Sequence, residues 1–154
     1  MPGFRDDFFH NAKLIALIKS IFNDIKTINA VCFVIKSNIT SLNYVQRYIF
    51  NTILDLFGKD LLENFIIMLT FCDGKEPEAI KALKKEGSIL DKIIPHIKGN
   101  LYYKFNNSAI YSDDINDEFT QMFWKLGMKS FKDFFKHLVQ NPKKFNSINW
   151  SSKT

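Results

Sequence analysis

With 154 residues, 46% of them hydrophobic and 15% aromatic, the chain is long enough for one packed domain and too apolar to be intrinsically disordered. A formal net charge of +5 admits nucleotide phosphates, nucleic acid or an anionic membrane surface as partners. The basic residues are scattered, however, and the densest clusters (Lys81 with Lys84 and Lys85, then Lys143 with Lys144) read as solvated surface, which argues against a nucleic-acid interface.

The elements follow one another in alternation. Phe8, Ala12, Ile15, Ile18, Phe22 and Ile25 recur every three or four positions and predict a first helix over 8–26. The nearly continuous apolar run at 29–35 predicts a strand covered on both faces, as in a parallel sheet. Thr40 or Ser41 can cap a second helix, whose stripe is Leu42, Val45, Ile49, Ile53 and Leu56 and which Gly58 stops. A second strand at 64–71 empties into a turn-rich loop, 72–77. Pro77 marks the start of another helix with Ala79, Ile80 and Leu83 inward, and 89–94 forms a further helical turn before Pro95.

The third strand is short, 101–105. A long amphipathic helix over 117–140 turns Phe119, Met122, Phe123, Leu126, Phe131, Phe134, Phe135 and Leu138 to the core and leaves Lys125, Lys129, Lys132 and Lys136 in solvent. Residues 141–154 read as a flexible tail, so the domain is expected to end near 140. Helices alternating with strands through short loops predict an α/β fold: a partial doubly wound parallel sheet of about three strands with flanking helices.

Cys32 and Cys72 have no C-x-x-C spacing and no histidine pair nearby, so they are expected to be buried, reduced thiols in a cytoplasmic protein. The N-terminus reaches Asp6 and Asp7 without a basic and then apolar stretch, which is not a secretory signal, and no apolar run approaches the roughly 20 residues of a membrane span. His10, His96 and His137 stand apart from any serine or cysteine in a nucleophilic arrangement.

In an open parallel sheet, ligands bind beyond the carboxyl ends of the strands. Two loops occupy that position: Thr70-Phe71-Cys72-Asp73 and Asn106-Asn107-Ser108-Ala109. A carboxylate at Asp73 can accept from both N1–H and the 2-amino group of guanine, whereas adenine presents neither donor on that edge, and the N–H groups around Ser108 and Ala109 can donate to guanine O6. An Asp-Gly pair after a strand is equally a turn signature, and an Asn-Asn-Ser run is equally loop and cap chemistry.

Taken in order, Pro2-Gly3-Phe4, residues 29–36, the helix ending Leu54-Asp55-Leu56-Phe57-Gly58-Lys59-Asp60, residues 64–74 and Lys104-Phe105-Asn106-Asn107-Ser108-Ala109 resemble the C-terminal portion of P-loop GTPase domains of the AIG-type (immune-associated nucleotide-binding) and septin-like kind. The resemblance implies that Gly3 is the remnant of the switch glycine that senses the γ-phosphate. It also implies that Thr70, Phe71 and Asp73 belong to the Thr-Lys-x-Asp base motif, with Phe71 in place of the lysine, and that Asn107, Ser108 and Ala109 form the second base-recognition loop. The implied ligand is GTP or GDP, with Mg²⁺ only where the first half of such a domain is present. No G-x-x-x-x-G-K-[ST] occurs in the chain and Met1 stands where the switch threonine would be, so residues 1–140 are expected to be a truncated G domain, either a shortened gene product or the second half of a parent whose P-loop half lies upstream, and not to hydrolyse GTP alone. The resemblance equally admits a non-catalytic module that pairs with other G domains as a homo- or hetero-oligomer.

Overall fold

A computed structural model describes residues 8–24, 27–57, 62, 64–85, 93, 100–140 and 145–146. Among these, the helices are α1 (Phe8–Asp24), α2 (Tyr44–Phe57), α3 (Glu78–Lys85) and α4 (Glu118–Gln140), and the strands are β1 (Thr27–Ile28), β2 (Val31–Lys36), β3 (Phe65–Thr70), β4 (Tyr102–Lys104) and β5 (Phe145–Asn146). A 3-10 turn, Asn107–Ile110, links β4 towards α4. The architecture is α/β: β2, β3 and β4 form a three-stranded parallel sheet in that order.

The central strand is β3, and its unbroken apolar sequence has a simple cause. Phe65, Ile67 and Leu69 point to one face of the sheet, where they join Phe33 and Ile35 of β2, Phe50 and Leu54 of α2, and Ala79, Ile80 and Leu83 of α3. Ile66 and Met68 point to the other face, where they meet Tyr103, Phe105 and Phe134 of α4. Each large apolar side chain removed from water in this way stabilises the fold by about 1.5–3 kcal/mol. Phe33 is the most aromatic point of the larger core, stacked 4.4 Å from Phe50 and 5.0 Å from Phe65.

Three expectations are corrected here. The strand β2 is covered on one face only: Phe33 and Ile35 are buried, but Cys32, Val34 and Lys36 are exposed, because α4 lies over β3 and β4 and stops short of β2. Cys32 is therefore an exposed thiol, while Cys72 is buried as its sequence suggested. In α4, Phe134 is buried and Phe123, Leu126 and Leu138 are half-buried, but Phe119, Met122, Phe131 and Phe135 are exposed, since one helix face meets the sheet and the apolar residues spread beyond it. Its lysines, Lys125, Lys129, Lys132 and Lys136, are exposed as expected.

The helix ends also differ from those the sequence predicts. The cap of α2 is Asn43, whose Oδ1 accepts from the Gln46 N–H at 2.8 Å while Gln46 Oε1 accepts from the Asn43 N–H at 2.9 Å. That reciprocal pair is a capping box with amide side chains, and it draws the helix start past Thr40 and Ser41. Asp117 caps α4 by accepting from the Thr120 N–H at 2.7 Å. Within the segment read as a tail, Phe145–Asn146 pairs antiparallel with Thr27–Ile28. The expected end of the second helix at Gly58 and the helical turn at 89–94 lie outside the described residues, apart from Ile93, which is buried in the main core.

Candidate functional site

The carboxyl ends of the three parallel strands are tied together by a short set of hydrogen bonds. At the end of β2, Ser37 donates its N–H to the Thr70 carbonyl at 2.8 Å and its hydroxyl to the Phe71 carbonyl at 2.8 Å, and its own carbonyl accepts from the Ala79 N–H at 3.0 Å. One buried serine thus joins β2, the loop after β3 and the first turn of α3. On the other side of β3, the Cys72 N–H donates to the Phe105 carbonyl at 3.0 Å, and Asn106 Nδ2 donates to the Cys72 carbonyl at 2.9 Å.

Between these anchors the backbone is forced into an unusual shape. Phe71 has φ 57°, in the left-handed region that a bulky side chain rarely adopts, and its ring is 64% exposed beyond the sheet end with Lys36 Nζ 5.8 Å from its centroid. Such backbone strain, of order 1–3 kcal/mol, persists where surrounding contacts over-determine it and concentrates at functional sites. Ser37 and Phe105 supply those contacts through the groups on either side of Phe71. Gly74, at φ 90°, completes the turn where a side chain would be strained.

Asp73 does the work of a turn residue and keeps an exposed carboxylate. Its Oδ1 accepts from the Lys75 N–H at 3.0 Å, and Lys75 Nζ lies 3.8 Å from Oδ2, with both side chains mostly in solvent. Thr70 is occupied within the sheet, its hydroxyl donating to the Ile35 carbonyl at 3.4 Å. In the second loop, Asn106 caps the 3-10 turn by accepting from the Ser108 N–H at 3.1 Å, so that N–H serves the turn. Asn107 and Ser108 are exposed and Ala109 is half-buried. The i to i+3 pattern of the turn sends the Ala109 N–H back to the carbonyl of the cap residue Asn106, so the Asn107 N–H is the one in the run that precedes the first such bond and is not taken by the Asn106 side chain. Gly3 lies outside the described residues.

A third strut crosses from β4. The Tyr102 hydroxyl donates to Glu76 Oε2 at 2.9 Å, and Lys104 Nζ donates to the Lys75 carbonyl at 2.9 Å. Partial burial, reinforced by the bond to the Glu76 carboxylate, pushes the Tyr102 hydroxyl up to about 12. Burial likewise pushes up the Cys72 thiol, which donates to the Leu69 carbonyl at 3.4 Å, so Cys72 is a packing residue in a neutral form.

The structure therefore brings Thr70, Phe71 and Asp73 together with the turn holding Asn107, Ser108 and Ala109, through Asn106. Ser37 and Tyr102 carry no sequence expectation, whereas Asn106 belongs to the second candidate loop, where its cap role is the one the Asn-Asn-Ser run also admits. Asn106 had a usable signal, because an asparagine at a strand end two residues before a serine suits an Asx-type cap. Ser37 and Tyr102 act through residues far away in sequence and carry no local signature. Among the described residues no group of three or more His, Cys, Asp or Glu side chains is placed to hold a metal ion, and no helix is long and apolar enough to cross a membrane. Compared with known proteins, the chain matches no family model and no curated protein.

Proposed function

We propose that the carboxyl end of the sheet receives the base of a guanine nucleotide, and that the chain is the base-recognising half of an AIG-type or septin-like G domain. The observation that carries this reading is Asn106, which bonds at once to Cys72 beside Asp73 and to Ser108 in the facing turn. It holds an exposed carboxylate and the first residues of a 3-10 turn, Asn107 and Ser108, both exposed, at one end of a parallel sheet, where nucleotides bind in such folds. The ordered series of short motifs in the sequence supports the same assignment.

In this reading the Asp73 carboxylate keeps acceptor capacity beyond its bond to the Lys75 N–H and accepts from guanine N1–H and the 2-amino group. The Asn107 N–H serves O6, since that of Ser108 is taken by the Asn106 side chain and that of Ala109 by the 3-10 turn itself. Phe71, fixed with its ring in solvent, offers a stacking face in place of an aliphatic lysine stem. Phosphates and Mg²⁺ would be held by a P-loop half, which these residues do not supply, so the chain binds without hydrolysing. A cytoplasmic location accords with such a ligand.

The test is proton NMR titration of the full chain with GMP and with AMP. Preference for GMP of about tenfold or more is expected, as is its loss in Asp73→Asn, because a hydrogen bond to a charged group contributes about 1.5–3 kcal/mol. Equal affinity for the two bases, or unchanged preference in the variant, would remove Asp73 from the reading.

A second reading has its own support. Ser37 N–H bonds to β3, so by the alternation of a strand Cys32, Val34 and Lys36 turn their backbone groups away from it, towards the open edge of β2. Among the described residues β2 pairs with β3 alone, and a six-residue edge left without a second partner is a pairing surface, which fits a non-catalytic module docking on another G domain. Sedimentation equilibrium separates the two readings: a monomer at high concentration speaks for the first alone.

A further inference from the structure

Helix α4 has an apolar surface that the fold leaves largely exposed, although Phe131 meets Phe105 at 4.8 Å and Phe135 meets Phe134 at 5.2 Å along its inner margin. Trp124, Met128, Phe131, Phe135 and Val139 follow at spacings of four, three, four and four, and all five are exposed, Val139 by 77%. At 3.6 residues per turn they lie within about 80° of one another around α4, a single stripe beside the buried line of Ser130 and Phe134. The next part of the circumference, spanning about 60°, carries Lys132, Lys125, Lys136 and Lys129, all exposed. The acidic residues of α4 are Glu118, in its first turn, and Asp133, half-buried on the side that faces β4.

We propose that α4 docks this stripe on an anionic lipid surface, lying in the plane of the interface. Charge complementarity selects the occupant. Four lysines border the apolar stripe along the helix, and the acidic residues lie at its first turn and on the far flank, so a negatively charged surface is attracted along the whole edge. The side chains suit an interface: Trp124 and the phenylalanines enter the boundary between headgroups and acyl chains, and the lysine stems extend along it with their ammonium groups among the headgroups. The stripe follows a flank of the helix in solvent instead of lining a cavity; the cavity beside α4, about 420 Å³, lies on the opposite side, bordered by Tyr102, Leu126 and Asp133. Val34, exposed on the same face of the sheet, extends the apolar surface past the helix.

The experiment is co-sedimentation of the full chain with vesicles of phosphatidylcholine alone and with phosphatidylserine added, at low and high salt. Fluorescence of Trp124 is followed in a Trp150→Phe background. Binding is expected only with phosphatidylserine, with a blue shift of Trp124 emission and release by salt. The triple variant Lys125→Gln, Lys132→Gln, Lys136→Gln is expected to lose about 100-fold in affinity, since each lysine near an anionic surface contributes roughly fivefold. Phe135→Ser and Val139→Asp test the stripe and alter exposed positions, so cooperative unfolding is expected to survive. Absence of phosphatidylserine-dependent binding in the unmodified chain overturns the proposal, as does binding that both sets of variants leave intact. A dimer abolished by Phe135→Ser, without vesicle binding, would assign the stripe to a second copy of the chain.

Discussion

Asn106 reaches across 2.9 Å to the carbonyl of Cys72, and its other amide atom caps the turn that begins one residue later. A single side chain therefore fixes the distance between the loop after β3 and the turn after β4. Replacing it with alanine removes both bonds and leaves a carbonyl and an N–H to find water. Asn106→Ala is expected to lose about 1–2 kcal/mol in urea unfolding and to weaken GMP binding along with it. Asn106→Asp retains the cap acceptor and loses the donor, so it is expected to keep part of the stability and separate the two contributions.

The backbone at Phe71 makes a second prediction. Left-handed geometry costs a residue with a Cβ about 1–2 kcal/mol, and glycine escapes that cost while adding about 0.5–1 kcal/mol of chain entropy to be lost on folding. The ring itself is exposed and contributes little burial. Phe71→Gly is therefore expected to be near neutral, and Phe71→Val, with a branched Cβ, to be less stable than the glycine variant by about 1 kcal/mol or more. Equal stabilities in chemical denaturation would show that the conformation at this position is not constrained.

Tyr102 gives the protein an alkaline signature. Its hydroxyl ionises at about 12 in the fold against an ordinary value of 10.0, so the folded state favours the protonated form. The associated stabilisation is complete below pH 10 and declines as the pH rises through 12. Ultraviolet titration of tyrosinate is expected to show late ionisation at Tyr102 and also at Tyr103, whose hydroxyl burial pushes up, and Glu76→Gln is expected to bring down only the Tyr102 component and only in part, because burial would still hold it above the ordinary value.

Phe33 tests the core. Sandwiched between Phe50 and Phe65, it leaves a ring-sized cavity when truncated, and Phe33→Ala is expected to lose about 3–5 kcal/mol. That is a large share of the 5–15 kcal/mol typical of a domain, and the thermal midpoint is expected to fall accordingly. Phe33→Leu, which keeps most of the volume, is expected to recover more than half of the loss.

The order of elements and the parallel sheet were legible in the sequence because apolar periodicity reports burial directly. The run at 64–71 became a fully covered strand, and Pro77 stood immediately before α3. The same logic failed at β2, whose composition matches that of a central strand; coverage depends on where α4 ends up, which no local pattern records. It failed again in α4, where phenylalanines occupy more of the circumference than the sheet can cover. At the sheet end, Asp73 and Asn107 to Ala109 could be picked out by position after a strand. The residues that hold them, Ser37 and Asn106, act through bonds spanning 34 positions and emerge only with the fold.

Every strand of the sheet has its partner more than thirty positions away: Val31 aligns with Phe65, and Ile67 with Tyr102. A chain emerging from the ribosome thus finishes β2 well before β3, its partner in the sheet, and can cover Phe33 and Ile35 only in part, with Phe50 and Leu54 of α2, until β3 and then α3 have been made. Such long-range closure places folding on the slow side for a domain of this size. The interval before Phe65 arrives is when the nascent polypeptide is most open to capture by chaperones or by its own neighbours on the same message.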